Sequence, residues 1–343
     1  GFEAPAGAWE TEILPSRLAD YDPAWLDEQC LAGRIAWARL KPRNGKGQGS
    51  ERRPAPVRST PITLLPRRHA ALWASLPAAM EQAPLSANAQ AVAEFVRENG
   101  ASFFDDLVSG TRLLRAQVED ALAELVAFGV VTSDSFGGLR ALLVPSSLRK
   151  PAASGRRRRR TSAFGMESAG RWALAPSRRP DGDTGAVEHI ARTLLRRYGV
   201  VFWRLLEREA AWLPPWRELL HIYRRLEARG EIRGGRFVGG FSGEQFALPE
   251  AIGALREVRR RQGSGAWVSV SGADPLNLVC TLIPGPKLAA LTGNRVLYRD
   301  GMAIAVLAGG EVQFREDLDP GTAWEARNAL LRSGVPRALV HLL

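Results

Sequence analysis

The sequence predicts a mostly helical chain with β wings, in which tandem winged-helix domains precede a small β-barrel-like α+β module. One observation is an internal repeat, because residues 100–104 and 125–131 recur in similar form at 199–203 and 226–232. Each copy also ends in a Gly-Gly pair that can turn a hairpin. A spacing of about one hundred residues indicates whole domains and not solenoid repeats. The alternation of polar and apolar residues after position 266 is typical of strands.

Composition shifts along the 343 residues predict one partial unit, two complete units, two linkers and a terminal module. The linkers are rich in Gly, Pro, Ser and Arg, and they contain too few apolar residues to pack. The predicted divisions are a partial winged helix at 1–45, a linker at 46–59, a winged helix at 60–148, an Arg-rich linker at 149–185, a winged helix at 186–261 and the β-barrel-like module at 266–343.

Local signals place the helices within each unit. In the partial unit, Pro23 suits the first position of a helix. In the next unit, Asn88 is expected to cap a helix whose apolar residues Val92 and Val96 lie on one side. Gly129 is placed to end the third helix of that unit as a C-cap.

Wing strands are expected after the third helix of each unit. In the 60–148 unit they are predicted at 130–132 and 139–144. In the 186–261 unit Pro215 starts the third helix, Gly230 ends it and a hairpin follows at 231–248. The terminal module is expected to have strands near 267–271, 295–298, 302–307 and 311–314, turns at 300–301 and 309–310, and a closing helix at 324–331.

The chain carries a strong positive charge. Its 47 Lys and Arg residues against 36 Asp and Glu residues give a formal net charge of +11. Such a balance favours polyanionic partners and indicates nothing about the fold. Cys30 and Cys280 are the only cysteines and lack metal-ligand spacing, which fits a reducing compartment. No apolar run reaches the ~18–20 residues that span a bilayer, and a cytoplasmic, nucleoid-associated location is expected.

Several functional motifs are missing from the sequence. It contains no G-x-x-x-x-G-K-[ST] phosphate loop, so neither ATP hydrolysis nor a cofactor is expected of this chain. His69, His189, His221 and His341 are scattered, and no metal site is expected from them. The chain starts at Gly1 without Met, and we interpret it as a fragment of a longer protein.

Arginines are the candidate DNA contacts, because the third helix of a winged helix can enter the major groove while the wing touches the backbone. The same side chains are also consistent with solvated faces, or with a disordered charge run in the linker. The candidates are Arg112 and Arg115 in the first complete unit, Arg217, Arg224, Arg225, Arg233 and Arg236 in the second, and Arg156, Arg157, Arg158, Arg159 and Arg160 in the linker.

One carboxylate and three tryptophans are candidates for chemistry on a nucleotide. Asp274 is the candidate catalytic residue, because it stands between two modules in an apolar stretch of small residues. An Asp-Pro pair is also a common turn, so a structural role stays open. Trp203, Trp212 and Trp216 could stack on an unpaired base, although tryptophans at apolar spacing more often lie in a core.

Long uninterrupted stretches carry a family resemblance. Residues 205–218 read LLEREAAWLPPWRE, residues 229–237 read RGEIRGGRF and residues 293–301 read GNRVLYRDG. These stretches resemble the C-terminal region of the bacterial large helicase-related (Lhr) family of superfamily 2 DNA helicases. The resemblance extends to 60–62, 64–70, 243–249 and 274–278.

The resemblance implies an array of winged helices with a β-barrel-like module, similar to AlkZ-type DNA glycosylases. It also implies self-assembly into homo-oligomers and uracil-DNA glycosylase activity. AlkZ-type enzymes use a Gln-apolar-Gln or Gln-apolar-Asp triplet, whereas the nearest triplets in this chain are 117–119 (QVE) and 245–247 (QFA). No catalytic residue is therefore carried over.

Two functional hypotheses follow. The first is a DNA-binding C-terminal domain of a DNA-repair helicase that acts on single-stranded or forked DNA and excises uracil. Its parent would be an ATP-dependent helicase whose N-terminal core is a partner of this region. The alternative is a non-catalytic assembly module that forms homo-oligomers and positions the helicase core.

Overall fold

A computed structural model describes residues 1–40, 57–76, 85–144, 165–166, 169–176, 185–283, 287–291 and 293–331. Within these residues the strands form four small antiparallel sheets, three with three strands and one with four. In each three-stranded sheet the last strand in sequence lies between the other two. This shared strand order, together with the helices that precede each wing, identifies three related winged-helix units.

The first unit has one long helix and a three-stranded sheet. Its elements are β1 (Glu3–Pro5), α1 (Pro23–Leu31), β2 (Ile35–Ala38), β3 (Pro61–Pro66) and α2 (Ala70–Ala74). As predicted, α1 begins at Pro23, and the Asp22 carboxylate caps it by accepting the Ala24 N–H at 2.9 Å. β3 pairs with both β1 and β2. Residues 61–66 therefore belong to the first sheet, whereas the sequence placed them at the start of the second unit.

The second unit follows the expected order of three helices and a wing. Its elements are α3 (Ala87–Asn99), β4 (Ser102–Phe103), α4 (Phe104–Thr111), α5 (Arg115–Ala127), β5 (Val131–Ser133), α6 (Phe136–Leu143) and β6 (Arg171–Leu174). The cap of α3 is Ser86 and not the predicted Asn88, because Ser86 Oγ accepts the Ala89 N–H at 3.2 Å. Gly129 follows α5 with a φ of 70°, as predicted for a left-handed C-cap.

The prediction of a wing strand at 139–144 is wrong. Residues 136–143 form α6, and all of them are buried. Ser135 caps this helix by accepting the Gly138 N–H at 3.3 Å. The strand that completes the sheet is β6, which pairs with β4 and β5 and lies where the sequence predicted a linker. A short apolar run does not distinguish a buried strand from a buried helix, and this explains the error.

The third unit repeats the order of the second, except that within its described residues no helix lies between its last two strands, and an extra helix follows its sheet. Its elements are α7 (Ala186–Tyr198), β7 (Val200–Phe202), α8 (Trp203–Leu206), α9 (Trp216–Ala228), β8 (Arg233–Gly235), β9 (Gln245–Ala247) and α10 (Pro249–Arg260). Pro215 immediately precedes α9, and Gly230 follows it with a φ of 74°, as predicted. The wing between β8 and β9 is the predicted hairpin.

The terminal module is an open sheet with one covering helix. Its elements are β10 (Trp267–Ser271), β11 (Arg295–Arg299), β12 (Met302–Ala308), β13 (Glu311–Phe314) and α11 (Pro320–Leu331). The strands pair in sequence order, and Ala326 and Leu330 of α11 pack on one face. Within the described residues β10 and β13 do not pair, so the expected barrel-like closure is replaced by an open sheet with two edges.

The first sheet packs on both neighbouring units. Trp37 in β2 donates from Nε1 to the Ser135 carbonyl at 2.9 Å, and its ring meets Trp172 of β6 edge-on at 6.3 Å. Leu65 of β3 and Trp73 of α2 instead belong to the core of the third unit. In the described part of the chain, no helix is both long enough and apolar enough to cross a membrane.

Candidate nucleic-acid interface

The third helix of the third unit, α9, has a basic outer face. Leu219, Tyr223 and Leu226 are buried on its inner side. Their spacing is that of one face of a helix. Arg217 and Arg224 are exposed. Because they are seven positions apart, or about two turns, they lie on the same side of the helix.

The wing of the third unit continues this basic face. Arg233 in β8 and Arg236 directly after it are both exposed, where the sequence predicted them. Gln245 fixes the shape of the wing from within. Its buried side chain accepts the N–H groups of Phe237 and Val238 at 2.9 and 2.8 Å and donates to the Val238 carbonyl at 2.8 Å. The arginines are thus presented on an ordered loop.

Two of the α9 arginines already hold carboxylates. Arg224 donates two hydrogen bonds to Glu244 in the wing, one of them from Nε at 3.0 Å, and these bonds lower the pKa of Glu244. Arg225 donates to Glu188 of α7 at 2.9 Å. The pKa of Glu188 is also lowered, chiefly by its hydrogen bond from Arg192. DNA would have to compete with these carboxylates for the two arginines.

Arg217, Arg233 and Arg236 are different, because within the described residues they have no acidic partner. An exposed, unpaired guanidinium keeps its full charge and all five N–H donors available for phosphate. The positive potential of this surface therefore depends mainly on these three side chains. We refer to Arg217, Arg233 and Arg236 as the basic triad.

The other candidate arginines lie elsewhere. Arg112 is exposed directly after α4 in the left-handed conformation, with a φ of 57°. Arg115 begins α5, donates to Asp105 at 2.7 Å and lies 4.8 Å from the centre of the Phe104 ring. The run from 156 to 160 lies outside the described residues. Only the third unit gathers several of the described candidates on one helix and its wing.

Asp274, the candidate catalytic residue, is buried with both carboxylate oxygens engaged. Arg17 of the first unit donates two hydrogen bonds to them at 2.6 and 2.8 Å. The Leu276 N–H donates a third at 2.7 Å, and Arg208 donates to the Asp274 carbonyl at 3.2 Å. Asp274 thereby ties the terminal module to the first unit, and these contacts favour a structural role.

A second ion pair joins the same two modules. Arg295 of β11 donates to Glu12 of the first unit at 2.5 Å, and both side chains are nearly buried. Burial raises the pKa of the Glu12 carboxyl, and the Arg295 guanidinium opposes this shift. Two buried carboxylates bound by arginines therefore fix the position of the terminal module against the first unit.

The tryptophans and glutamines singled out in the sequence have mostly structural surroundings. Trp212 meets Trp73 edge-on at 6.3 Å, and Trp216 lies 5.9 Å from the Tyr223 ring. Trp203, in contrast, is 55% exposed, so it is the one of the three that can stack on a base. Gln117 accepts the N–H of residue 114 at 2.9 Å at the start of α5. Both glutamines of the sequence triplets thus stabilise backbone.

A cavity of about 540 Å³ lies where the first unit, the third unit and the terminal module meet. Its wall is formed by β1, by the segment from α8 onward and by the loop after β10. The sequence indicated none of its lining side chains as site residues, because they come from segments far apart in the chain. Arg204, Arg208, Asn277 and Lys287 are among them. We refer to this space as the junction cavity.

Comparison with known proteins agrees with this architecture. Family models for winged-helix domains of the large helicase-related protein match residues 1–67 and 180–267, the first as the third such domain and the second as the fourth. The chain belongs to the Lhr family. The match to residues 1–67 includes β3, in agreement with the sheet to which that strand belongs.

Two curated Lhr proteins match the chain over nearly all of its length. The "Lhr helicase/uracil glycosylase" of Escherichia coli (strain K12) is 29% identical, over 100% of this chain and 23% of its own. The "Lhr helicase/ probable uracil glycosylase" of Mycolicibacterium smegmatis is 29% identical, over 92% of this chain and 21% of its own. The Lhr-family chain therefore spans less than a quarter of the length of these relatives.

Proposed function

We propose that this Lhr-family chain binds DNA through α9 and the wing of the third unit. The basic triad, exposed and unpaired within the described residues, is the observation that carries the proposal. In a winged helix, the third helix and the wing can both face DNA, and the triad has members on each. The net charge of +11 adds long-range attraction. Contacts to phosphate do not read sequence, so discrimination between DNA structures is expected in place of base-sequence specificity.

Single-stranded and forked DNA are the proposed substrates, in the context of a DNA-repair helicase. Both relatives are named as helicases, and strand separation exposes unpaired bases. Trp203, which is exposed next to Arg204, supports this choice. Aromatic side chains beside cations are a common way to hold a single strand without sequence preference.

Fluorescence anisotropy with labelled single-stranded and forked DNA tests the proposal. Replacing Arg217, Arg233 and Arg236 together by Ala should weaken binding at low salt about ten- to hundredfold. It should also reduce the slope of log K against log salt by about 2, since each phosphate contact to a single strand contributes roughly 0.7. A wild-type chain that does not bind at low salt contradicts the proposal.

A triple variant with the same change in charge provides the control. Arg34, Arg97 and Arg171 are exposed and lie in the first and second units. Replacing these three by Ala removes the same net charge and leaves the α9 face intact. Its affinity should fall less than about threefold, because only the long-range attraction is reduced. Equal losses in the two triple variants would show that no particular surface binds DNA.

Uracil excision is a second proposed activity, favoured by the names of the two relatives. Uracil-containing DNA incubated with the chain should develop alkali-labile sites. The Asp274 carboxylate could act in catalysis or only hold the terminal module on the first unit, and comparing Asp274→Asn with Arg17→Gln separates these two roles. If Asp274 only ties the modules together, both variants should lose activity and stability in parallel. Loss in Asp274→Asn alone, with stability retained, would indicate a catalytic carboxylate.

An assembly function is the alternative, and exposed apolar side chains of the terminal module favour it. Val268 on the edge strand β10 is 56% exposed, and Met302 and Trp324 are 68% and 67% exposed. Edge strands and apolar patches are common sites of association. Light scattering tests this function directly. A homo-oligomer that forms without DNA and dissociates on Val268→Lys would support it, whereas a monomer would exclude it.

A further inference from the structure

The junction cavity has the size and position of a ligand site that the DNA-binding surface does not account for. Its volume of about 540 Å³ falls within the range of roughly 300–1,000 Å³ typical of small-molecule pockets. Arg204 and Lys287 in its wall are exposed, so the cavity can be reached from solvent. Apolar walls come from Phe2 and Pro5 of the first unit and from Ala273.

The charges around the cavity balance. Arg204 is bonded to Glu207 at 2.5 Å. Arg208 donates its N–H groups to the carbonyls of Asp274 and Pro275. The charged side chains of the lining are three cations and three acids, which are Arg204, Arg208, Lys287, Glu3, Glu207 and Glu209. A lining of zero net charge gives a phosphate group no advantage, and it suits an uncharged polar ligand.

Asn277 supplies hydrogen bonds of the kind that such a ligand needs. Its side chain is almost buried in the cavity wall, and its Nδ2 donates to the Gly272 carbonyl at 2.9 Å. Its Oδ1 accepts the Val279 N–H at 3.3 Å. A side-chain amide has two N–H donors and two acceptor lone pairs. These two hydrogen bonds use one donor and one lone pair, and a second donor and a second lone pair are what the amide can offer to the polar edge of a nucleobase.

The wall of the cavity is also connected to the wing. Phe241 of the wing lies 5.1 Å from Phe202, ring centre to ring centre. Leu278 and Leu282 pack on the same apolar cluster as Phe202, and the residues between these two leucines line the cavity. The surface that bears Arg233 and Arg236 is thus backed by the loop that forms the cavity wall.

We infer that the junction cavity receives an uncharged nucleobase extruded from a strand bound at the basic triad. This inference rests on the proposed DNA binding and adds the place where a base is held. An extruded base must lose its stacking, and apolar walls with an amide replace part of what it loses. Asn277 would hold the polar edge of the base, and the sugar-phosphate would stay outside the cavity.

DNA containing 2-aminopurine tests the inference, since the fluorescence of this base rises when it leaves the stack. Binding of the wild-type chain should raise the fluorescence severalfold. Ala290 lines the cavity. Ala290→Phe should therefore fill part of the cavity and abolish the rise, while the affinity measured by anisotropy stays within about twofold. Ala289→Phe is the matched control, because this neighbouring alanine is exposed and is not part of the wall. It should behave like the wild type.

The outcomes separate the inference from the proposed function. DNA binding without a fluorescence rise, or a rise that persists in Ala290→Phe, overturns the inference and leaves DNA binding intact. Absence of DNA binding at low salt overturns both.

A second probe does not depend on DNA. In saturation-transfer NMR, 2′-deoxyuridine and its 5′-monophosphate should bind within about threefold of each other, and a preference above tenfold for the monophosphate would overturn the uncharged-base assignment.

Discussion

The second and third units share three helices and a three-stranded sheet, yet the segments between their last two strands serve different purposes. In the second unit the chain leaving β5 forms α6, whose residues are all buried, with Arg140 bonded to Glu10 of the first unit. In the third unit β8 is fully exposed, and its wing returns directly to β9. One fold thus provides a packing element in one unit and a charged surface in the other.

The two units also differ in which aromatic residue at the start of the second helix is exposed. In the second unit Phe103 is 55% exposed and Phe104 is buried. In the third unit Phe202 is buried and Trp203 is 55% exposed. Phe241 of the wing packs against Phe202, and this contact contributes to the burial of Phe202. Sequence similarity between the repeats therefore does not imply that equivalent side chains face solvent.

The largest expected effect is the loss of stability when α6, the packing element of the second unit, is altered. Arg140 is 1% exposed and bonds to Glu10 and Asp27 at 2.7 and 2.8 Å. Arg140→Met should lower the free energy of unfolding by about 3–5 kcal/mol, because it leaves the buried Glu10 carboxylate without its cationic partner. Urea unfolding measures the loss. Arg171→Met breaks an exposed pair with Asp134 and should cost less than about 1 kcal/mol. Equal costs would contradict the assignment of α6 as a packing element.

The next largest effect is a difference in stability between Ala variants of two equivalent glycines. Gly129 and Gly230 both follow a third helix with positive φ, so Ala at either position costs roughly 1–2 kcal/mol of backbone strain. A Cβ at Gly129 would also lie 2.7 Å from the Arg39 carbonyl, whereas a Cβ at Gly230 would meet nothing within 4 Å. Gly129→Ala should therefore destabilise by about 2–4 kcal/mol, above Gly230→Ala. Thermal unfolding of the two variants decides whether the second unit is the more tightly packed.

A smaller effect is expected on the exposed wing. Glu244→Gln removes a carboxylate from the basic face and releases Arg224 from two hydrogen bonds. DNA affinity should rise about two- to threefold, since one repulsive charge is lost near the phosphates. Glu257→Gln makes the same change in charge within α10, where Glu257 pairs with Arg261. If that variant gains as much affinity, the face of α9 has no special part in binding.

The smallest effect concerns pH. Burial lowers the pKa of His189 in α7, with further contributions from His69 and Arg196. The unfolded chain takes up this proton as pH falls through its ordinary value of 6.5, but the folded chain resists protonation. The contribution of His189 should therefore lower stability below that pH, by less than about 1 kcal/mol. His189→Gln should make the free energy of unfolding depend less on pH between pH 7.5 and 5.5. Gln90, at the corresponding position of the second unit, does not titrate, so that unit adds no such slope.

Local features of the fold were predictable from the sequence. Pro23, Pro215, Gly129 and Gly230 mark helix ends correctly, because a cap or a fixed φ acts over a few residues. Strand β6 was not predictable, since its partners β4 and β5 lie far from it in the chain. A strand of four residues has too little pattern of its own to be recognised without them.

The candidate site was predictable only in part. The arginines of α9 and the wing were identified because a helical face and a hairpin are local patterns. The ion pairs of these arginines were not predictable. Within the described residues Arg225 is paired and Arg217 is not, because Glu188, from another helix, lies beside Arg225. The environment of Asp274 was equally hidden, because Arg17 comes from the opposite end of the chain.

The two-sided packing of the first sheet has a consequence for how the molecule unfolds. Trp37 is part of the core of the second unit, while its neighbour Ala38 is part of the core of the third. Neither core can open without exposing a side of the same strand. We therefore expect the described units to melt in one cooperative transition, with equal calorimetric and van't Hoff enthalpies, and not as three independent steps.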